Sequence, residues 1–173
     1  SHMDEIGLMI SADDGGGLFQ FQLVGGIDVR QLPGKAVLVG KERIPGVIGA
    51  RAIHLTSEEE RRNAIPLNTL RIDVGPGDAA RKVEPGDRSV FATAFQHSGP
   101  SLLGKALDNR LGVATLIELL RAAPANIDLY CVFTTQEEIG LRGAGAAAYA
   151  IQPDLAIAVD STPANDLPAW DGS

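Results

Sequence analysis

The residues best equipped for chemistry fall into four short words far apart in the chain: His2-Met3-Asp4, Asp108-Asn109-Arg110, Gln136-Glu137-Glu138 and Val159-Asp160. They supply one imidazole and several carboxylates. A pair of adjacent divalent cations calls for such a set. A bridging carboxylate lowers the repulsion between the ions, and His and carboxylate groups complete each shell. A further carboxylate, free of metal, takes a proton from water. Such a site turns water into a nucleophile at neutral pH.

Each word alone is weak. An Asp before a helix is most often an N-cap, an exposed Glu-Glu pair is usually solvated charge, and Asp160-Ser161-Thr162 alone reads as a turn. The information lies in their joint placement at the ends of expected elements. Asp108 precedes a helix and can project from a strand-to-helix turn. Glu137 and Glu138 are neighbours at a strand exit, where successive side chains point to opposite sides, so one can face a metal and the other the water. Asp160 closes the next strand. Asp4 lies on the same side of an extended segment as His2 and can orient its imidazole.

The elements that must position these groups differ between the two halves of the chain. The first half predicts short strands at residues 6–10, 18–23, 35–39, 47–53, 70–74, 82–83 and 89–94, punctuated by Gly and Pro turns such as Asp13-Asp14-Gly15-Gly16-Gly17. That pattern suggests a small barrel or sandwich. From about residue 100 the period changes. Residues 110–123 predict a helix, 127–134 a strand buried on both faces, 141–150 an Ala-rich helix and 155–159 another buried strand. This order is a βαβ crossover, in which ligands gather at the carboxyl ends of strands. The strand at 6–10 groups better with the α/β pieces. The expected division is therefore a first α/β segment at 1–11, an inserted β-rich domain at 12–95 and a second α/β segment at 96–173.

Fifteen Lys and Arg against 22 Asp and Glu give a net charge of −7, which argues against a nucleic-acid partner. No apolar run approaches the roughly 20 residues that span a bilayer, so no membrane is expected. The lone Cys131 sits in an apolar run and reads as a small buried hydrophobe. With no partner for a disulfide and no signal peptide, a reducing cytoplasmic location is expected.

Taken together, His2-Met3-Asp4-Glu5-Ile6-Gly7, Asp108-Asn109-Arg110, Thr135-Gln136-Glu137-Glu138-Ile139-Gly140-Leu141-Arg142-Gly143-Ala144 and Ala158-Val159-Asp160 resemble the TET-type (glutamyl or deblocking) aminopeptidases, family forty-two of the metallopeptidases. Val24-Gly25-Gly26-Ile27-Asp28, Gly46-Val47-Ile48-Gly49 and Arg71-Ile72-Asp73-Val74-Gly75 agree, so the resemblance runs along essentially the whole chain. It implies an α/β fold, part of a zinc-peptidase-like sandwich, with an inserted all-β, PDZ-like barrel that supports dimers and, through them, dodecameric shells. It implies two divalent ions, zinc or cobalt, and peptide substrates trimmed from the amino end. His2 and Asp160 would hold one ion, Glu138 the other, and Asp108 would bridge both. Glu137 would be the general base and Asp4 would tune His2. The family chain is longer at both ends and carries a further histidine after the Asp160 strand. The resemblance therefore implies a truncated form whose second ion lacks one ligand and whose activity is low or absent. His54 and His97 match no motif and read as ordinary surface residues.

Two other readings fit some of the residues. The β-rich insert would serve a non-catalytic assembly or dimerisation module. The same metal scaffold would also suit a deacylase or carboxypeptidase. A two-carboxylate glycosidase fits less well, because aromatics for stacking on sugars make up 5% of the chain.

Overall fold

Leu8 and Ile10, Phe19 and Phe21, and Val37 and Val39 are each spaced two apart, which in a strand sends both side chains to one face. A computed structural model describes residues 1–164 and buries all six of these side chains in one core. The strands that carry them are β1 (Gly7–Gly15), β2 (Leu18–Val24) and β3 (Ala36–Val39). With β4 (Ile44–Gly49), β5 (Arg71–Asp73) and β6 (Arg88–Phe91) they close a six-stranded barrel in the order β1-β2-β5-β4-β3-β6. Every pairing is antiparallel, and β6 returns to β1 through Leu8 opposite Ser89. Closure gives each of the six strands a neighbour on both sides.

The β1–β2 turn needs glycine at one point. Gly17 has φ +89°, and a Cβ there would lie 2.1 Å from the carbonyl oxygen of Gly75. Only a residue without a side chain lets the turn approach that backbone.

The barrel belongs to a compact unit of residues Glu5–Lys105, which also holds the short hairpin of β7 (Gln96–Ser98) and β8 (Ser101–Leu103). A five-residue helix, α1 (Glu58–Arg62), lies in the same unit. At the two ends of this unit, Glu5 and Lys105 form an ion pair with Nζ–O distances of 2.5 and 2.8 Å. The second unit joins Ser1–Asp4 to the chain from Ala106 onward. It contains α2 (Leu107–Arg121) and α3 (Arg142–Ile151).

Several expectations shift. The boundaries move from 11/12 and 95/96 to 4/5 and 105/106. The segment at 6–10 is barrel strand, because its backbone pairs with β2 and β6 and its side chains Leu8 and Ile10 fill the barrel core. The segment expected at 96–173 loses its first ten residues to the hairpin side, and its last nine, 165–173, lie outside the described residues. Residues 82–83 form no strand: the chain there closes the 3-10 turn Ala80–Lys82. The expected α/β sandwich is not shown by the described residues. Segments 127–134 and 155–159 carry no ladder, and the one pairing is an isolated parallel bridge between His2 and Thr134. A buried strand needs a neighbour for its N–H and C=O groups and a cover for its side chains. Here Tyr130, Leu155 and Ile157 are exposed.

Candidate metal centre

The amino-terminal segment is tied to residue 134 by backbone hydrogen bonds. Met3 N–H donates to the Thr134 carbonyl at 2.8 Å, and Thr134 N–H donates to the Ser1 carbonyl at 2.9 Å. Both bonds flank His2 and fix it beside the turn that carries the two glutamates. His2 is buried, 2% exposed. Its Nδ1 faces the Asp4 carbonyl oxygen at 3.2 Å and the Asp4 carboxylate at 3.4 Å. Its Nε2 faces Asp108 Oδ1 at 3.0 Å, Glu137 Oε2 at 3.7 Å and Asp160 Oδ1 at 3.9 Å.

Each carboxylate has its own support. Asp108 stands at the start of α2, with non-helical backbone at Asp108 and Asn109 before the regular turns begin. Asp160 Oδ1 accepts from the N–H of Ser161 at 2.8 Å. Glu137 and Glu138 sit in a tight turn after Gln136, which has φ +59°. The turn is closed by Gly140 and Leu141 N–H groups on the Glu137 carbonyl, at 2.9 and 3.0 Å. It leads directly into α3, whose Gly143 packs so closely that a Cβ would lie 2.4 Å from the Thr135 carbonyl oxygen. Asp4 reaches across to this turn. Its two carboxylate oxygens accept the backbone N–H groups of Glu137 and Glu138, at 3.2 and 3.3 Å.

The electrostatics follow from crowding. Burial pulls the His2 imidazole down, but the hydrogen bond to Asp108 and the charges of Glu137, Asp4 and Asp108 outweigh it, and its pKa lies above the ordinary histidine value. Burial is also the main reason that Glu138 lies above the ordinary carboxylate value. The charges of Asp108, Glu137 and Asp4 add to it, and His2 offsets part.

The donors suit a divalent cation. His2, Asp108 and Asp160 offer ligand atoms within 4.8 Å of one another, and so do His2, Glu137 and Glu138. Two donors on one tetrahedral ion at ~2.0–2.2 Å are roughly 3.3 Å apart, and the His2–Asp108 and His2–Asp160 separations of 3.0 and 3.9 Å bracket that. Both imidazole nitrogens face oxygens, the arrangement of an imidazolium that donates twice. A cation held here would take the place of the Nε2 proton, and Nδ1–H would keep the Asp4 carbonyl and with it the ring orientation. The Asp108 and Asp160 side chains are 58% and 55% exposed, so the cluster is open to solvent on their side.

This cluster joins the same words that carry the sequence resemblance. The family model for M42 glutamyl aminopeptidase matches residues 1–173. The chain belongs to that family. Among its relatives, the lysyl aminopeptidase of Pyrococcus furiosus is 33% identical over 171 residues, covering 94% of this chain and 49% of that protein. An aminopeptidase from the archaeon Desulfurococcus kamchatkensis has a similar structure, with a TM-score of 0.89 and 34% identity, over 99% of this chain and 49% of the other. The TET1 peptidase of Pyrococcus horikoshii, described as assembling into a tetrahedron or a large octahedral shell, gives 0.71 and 39% over 86% of this chain and 47% of its own. The chain spans about half the length of the curated relatives it matches.

Set against the M42 reading of the sequence, all six expected site residues, His2, Asp4, Asp108, Glu137, Glu138 and Asp160, come together in the second unit. The geometry does not separate Glu137 from Glu138, since both fall in one donor group with His2. His54 and His97 lie in the other unit, both exposed, and His97 stacks edge-on to Phe95. Sequence reasoning missed Asn109, which is 1% exposed and bridges two of the expected ligand segments. The one available signal was an uncharged polar residue directly after an expected ligand.

Proposed function

We propose that this chain carries the metal centre of an aminopeptidase that removes amino-terminal residues from peptides. The observation that carries the reading is the 3.0 Å approach of His2 Nε2 to Asp108, with Asp160 and a glutamate within 4 Å. In this reading His2 and Asp160 would hold one divalent ion, zinc or cobalt, Glu138 would hold a second, and Asp108 would serve both. In that assignment the bound ions supply Lewis acidity toward the scissile carbonyl, acidify water and anchor the free α-amine of the substrate. Glu137 receives the proton of the attacking water on its carboxylate and returns it to the leaving amine. Asp4 holds the His2 ring and the Glu137-Glu138 turn at once, so that ligand and base keep a fixed separation. The barrel unit supports dimers and larger shells of the kind described for the Pyrococcus horikoshii relative. The choice of Glu137 as base and Glu138 as ligand follows the family resemblance.

The test compares free and amino-blocked peptides with cobalt or zinc added back after chelation. Metal-dependent release of the first residue from free peptides alone, at a low rate, is the expected result. Cleavage of blocked peptides would point to the deacylase or carboxypeptidase reading. Metal binding without hydrolysis in any assembly would favour a module whose role is association.

A further inference from the structure

The Asn109 side chain is fully buried, and both ends of its amide are used. Nδ2 donates to the Val159 carbonyl at 2.8 Å. Oδ1 accepts the N–H of Gly112 at 3.0 Å. The two partners demand the same orientation, because a flipped amide would set oxygen against oxygen and N–H against N–H. The Asn109 carbonyl is also an acceptor, from the Ser1 hydroxyl at 3.3 Å. Asn109 follows Asp108 in the chain, and Val159 precedes Asp160. One amide therefore joins the segments that bear two of the acidic groups around His2, although 50 residues separate its ends.

We infer that Asn109 is a positioning residue for the cation site: its amide fixes the distance between Asp108 and Asp160, and so sets the affinity of the His2–Asp108–Asp160 cluster for a divalent ion. This rests on the reading of Asp108 and Asp160 as ligands. The alternative for Asn109 is a satisfied core amide that stabilises the fold and has no bearing on the ion. Its location argues for the first role. The amide spans two segments that have no ladder between them, and no other hydrogen bond among the described side chains ties residue 159 to α2. Outer partners that orient ligands typically change metal affinity by about 10–100-fold when removed.

A neighbouring glycine provides a second handle. A Cβ on Gly112 would lie 2.2 Å from Asn109 Oδ1 and 2.7 Å from the Ser1 hydroxyl. Gly112→Ala keeps the amide but displaces it, while alanine favours the helix itself.

The experiment uses the 173-residue chain with Co²⁺ as the probe, followed by calorimetry and by the visible spectrum of the bound ion. Asp160→Asn, Asn109→Ala and Gly112→Ala are compared with the parent, and melting is measured on the metal-free proteins. The expected result is weaker Co²⁺ binding in all three, by about 10–100-fold for Asn109→Ala, with an altered cobalt spectrum in the two Asn109-directed variants. Parent affinity and spectrum in both of those, with Asp160→Asn impaired, would overturn the inference and leave the ligand reading intact, even if melting falls. Unchanged binding in Asp160→Asn overturns the ligand reading and this inference with it. Should Asn109→Ala fail to fold, Gly112→Ala decides alone.

Discussion

Asp4 and Glu137 are joined by a hydrogen bond from the Glu137 backbone N–H to Asp4 Oδ1 at 3.2 Å, across 133 positions of sequence. The other Asp4 oxygen takes the next N–H, that of Glu138, at 3.3 Å. One carboxylate thereby orders two consecutive glutamates whose carboxylates fall in one donor group with His2. The same residue holds the His2 ring through its backbone carbonyl. The acidic residue two places after a histidine is thus a link between elements as well as a neighbour of the imidazole.

Asp4→Asn retains one acceptor oxygen and replaces the other with an amine that cannot accept from an N–H group. One of the two glutamate amides loses its partner. The expected outcome is a fall in Zn²⁺ or Co²⁺ affinity of about 10–100-fold. Calorimetric titration of the variant checks it, and parent affinity would show that the clamp does not reach the ions.

Glu138 sets up a contrast between stability and binding. Its folded pKa is raised by burial and by neighbouring carboxylates. A raised carboxyl favours the protonated form in the folded state, so its contribution is fully present below the unfolded pKa and is lost as pH rises through the folded pKa. In the chelated protein, Glu138→Gln should remove that loss and raise the denaturation midpoint at neutral pH, while metal affinity falls. Urea unfolding followed from the ordinary carboxylate range up to neutral pH reads the first effect. An unchanged midpoint at neutral pH would count against the crowding argument.

Asp14 gives the opposite sign in the barrel. Its hydrogen bond from Arg71 comes first among the causes that hold its pKa below the ordinary carboxylate value, and Gln20 Nε2 adds another at 2.6 Å. A lowered carboxyl contributes stability above the unfolded pKa, and that contribution is lost as pH falls through the folded value. The pair is solvent-accessible, so the effect is small. Asp14→Asn should make barrel stability less sensitive to pH on the acid side, below the ordinary Asp range. Melting curves of parent and variant converge at the lowest pH if this is right, and stay parallel if it is wrong.

Phe19 tests the barrel core. It is 0% exposed, whereas its neighbour Leu18 is 40% exposed. Phe19→Ala should destabilise by about 3–5 kcal/mol, and Leu18→Ala by roughly 0.5 kcal/mol or less. Denaturant unfolding of the two single variants gives the comparison. Equal effects would contradict the assigned strand phase.

The four acidic words and the strand phase were legible in the sequence because both depend on local rules. Alternation across Phe19-Gln20-Phe21-Gln22 dictates which side chains share a face wherever that strand lies. Residue type alone identifies an imidazole and carboxylates as cation donors. A strand's neighbours are not local. Residues 6–10 read as part of the α/β pieces, and only pairing with β2 and β6 assigns them to the barrel. In the same way, the apolar runs at 127–134 and 155–159 predicted buried strands. Apolar composition reports a need for cover, and pairing requires a backbone in register beside it.

By itself the sequence determined the donors, the turns and the family. Tertiary structure decided that His2 meets Asp108 over 106 positions, that Asp4 clamps both glutamates, and that the amide of Asn109 joins the segments of Asp108 and Asp160. Local preference acts over a few residues, whereas these contacts join groups 50 to 134 positions apart and form only when the chain returns on itself.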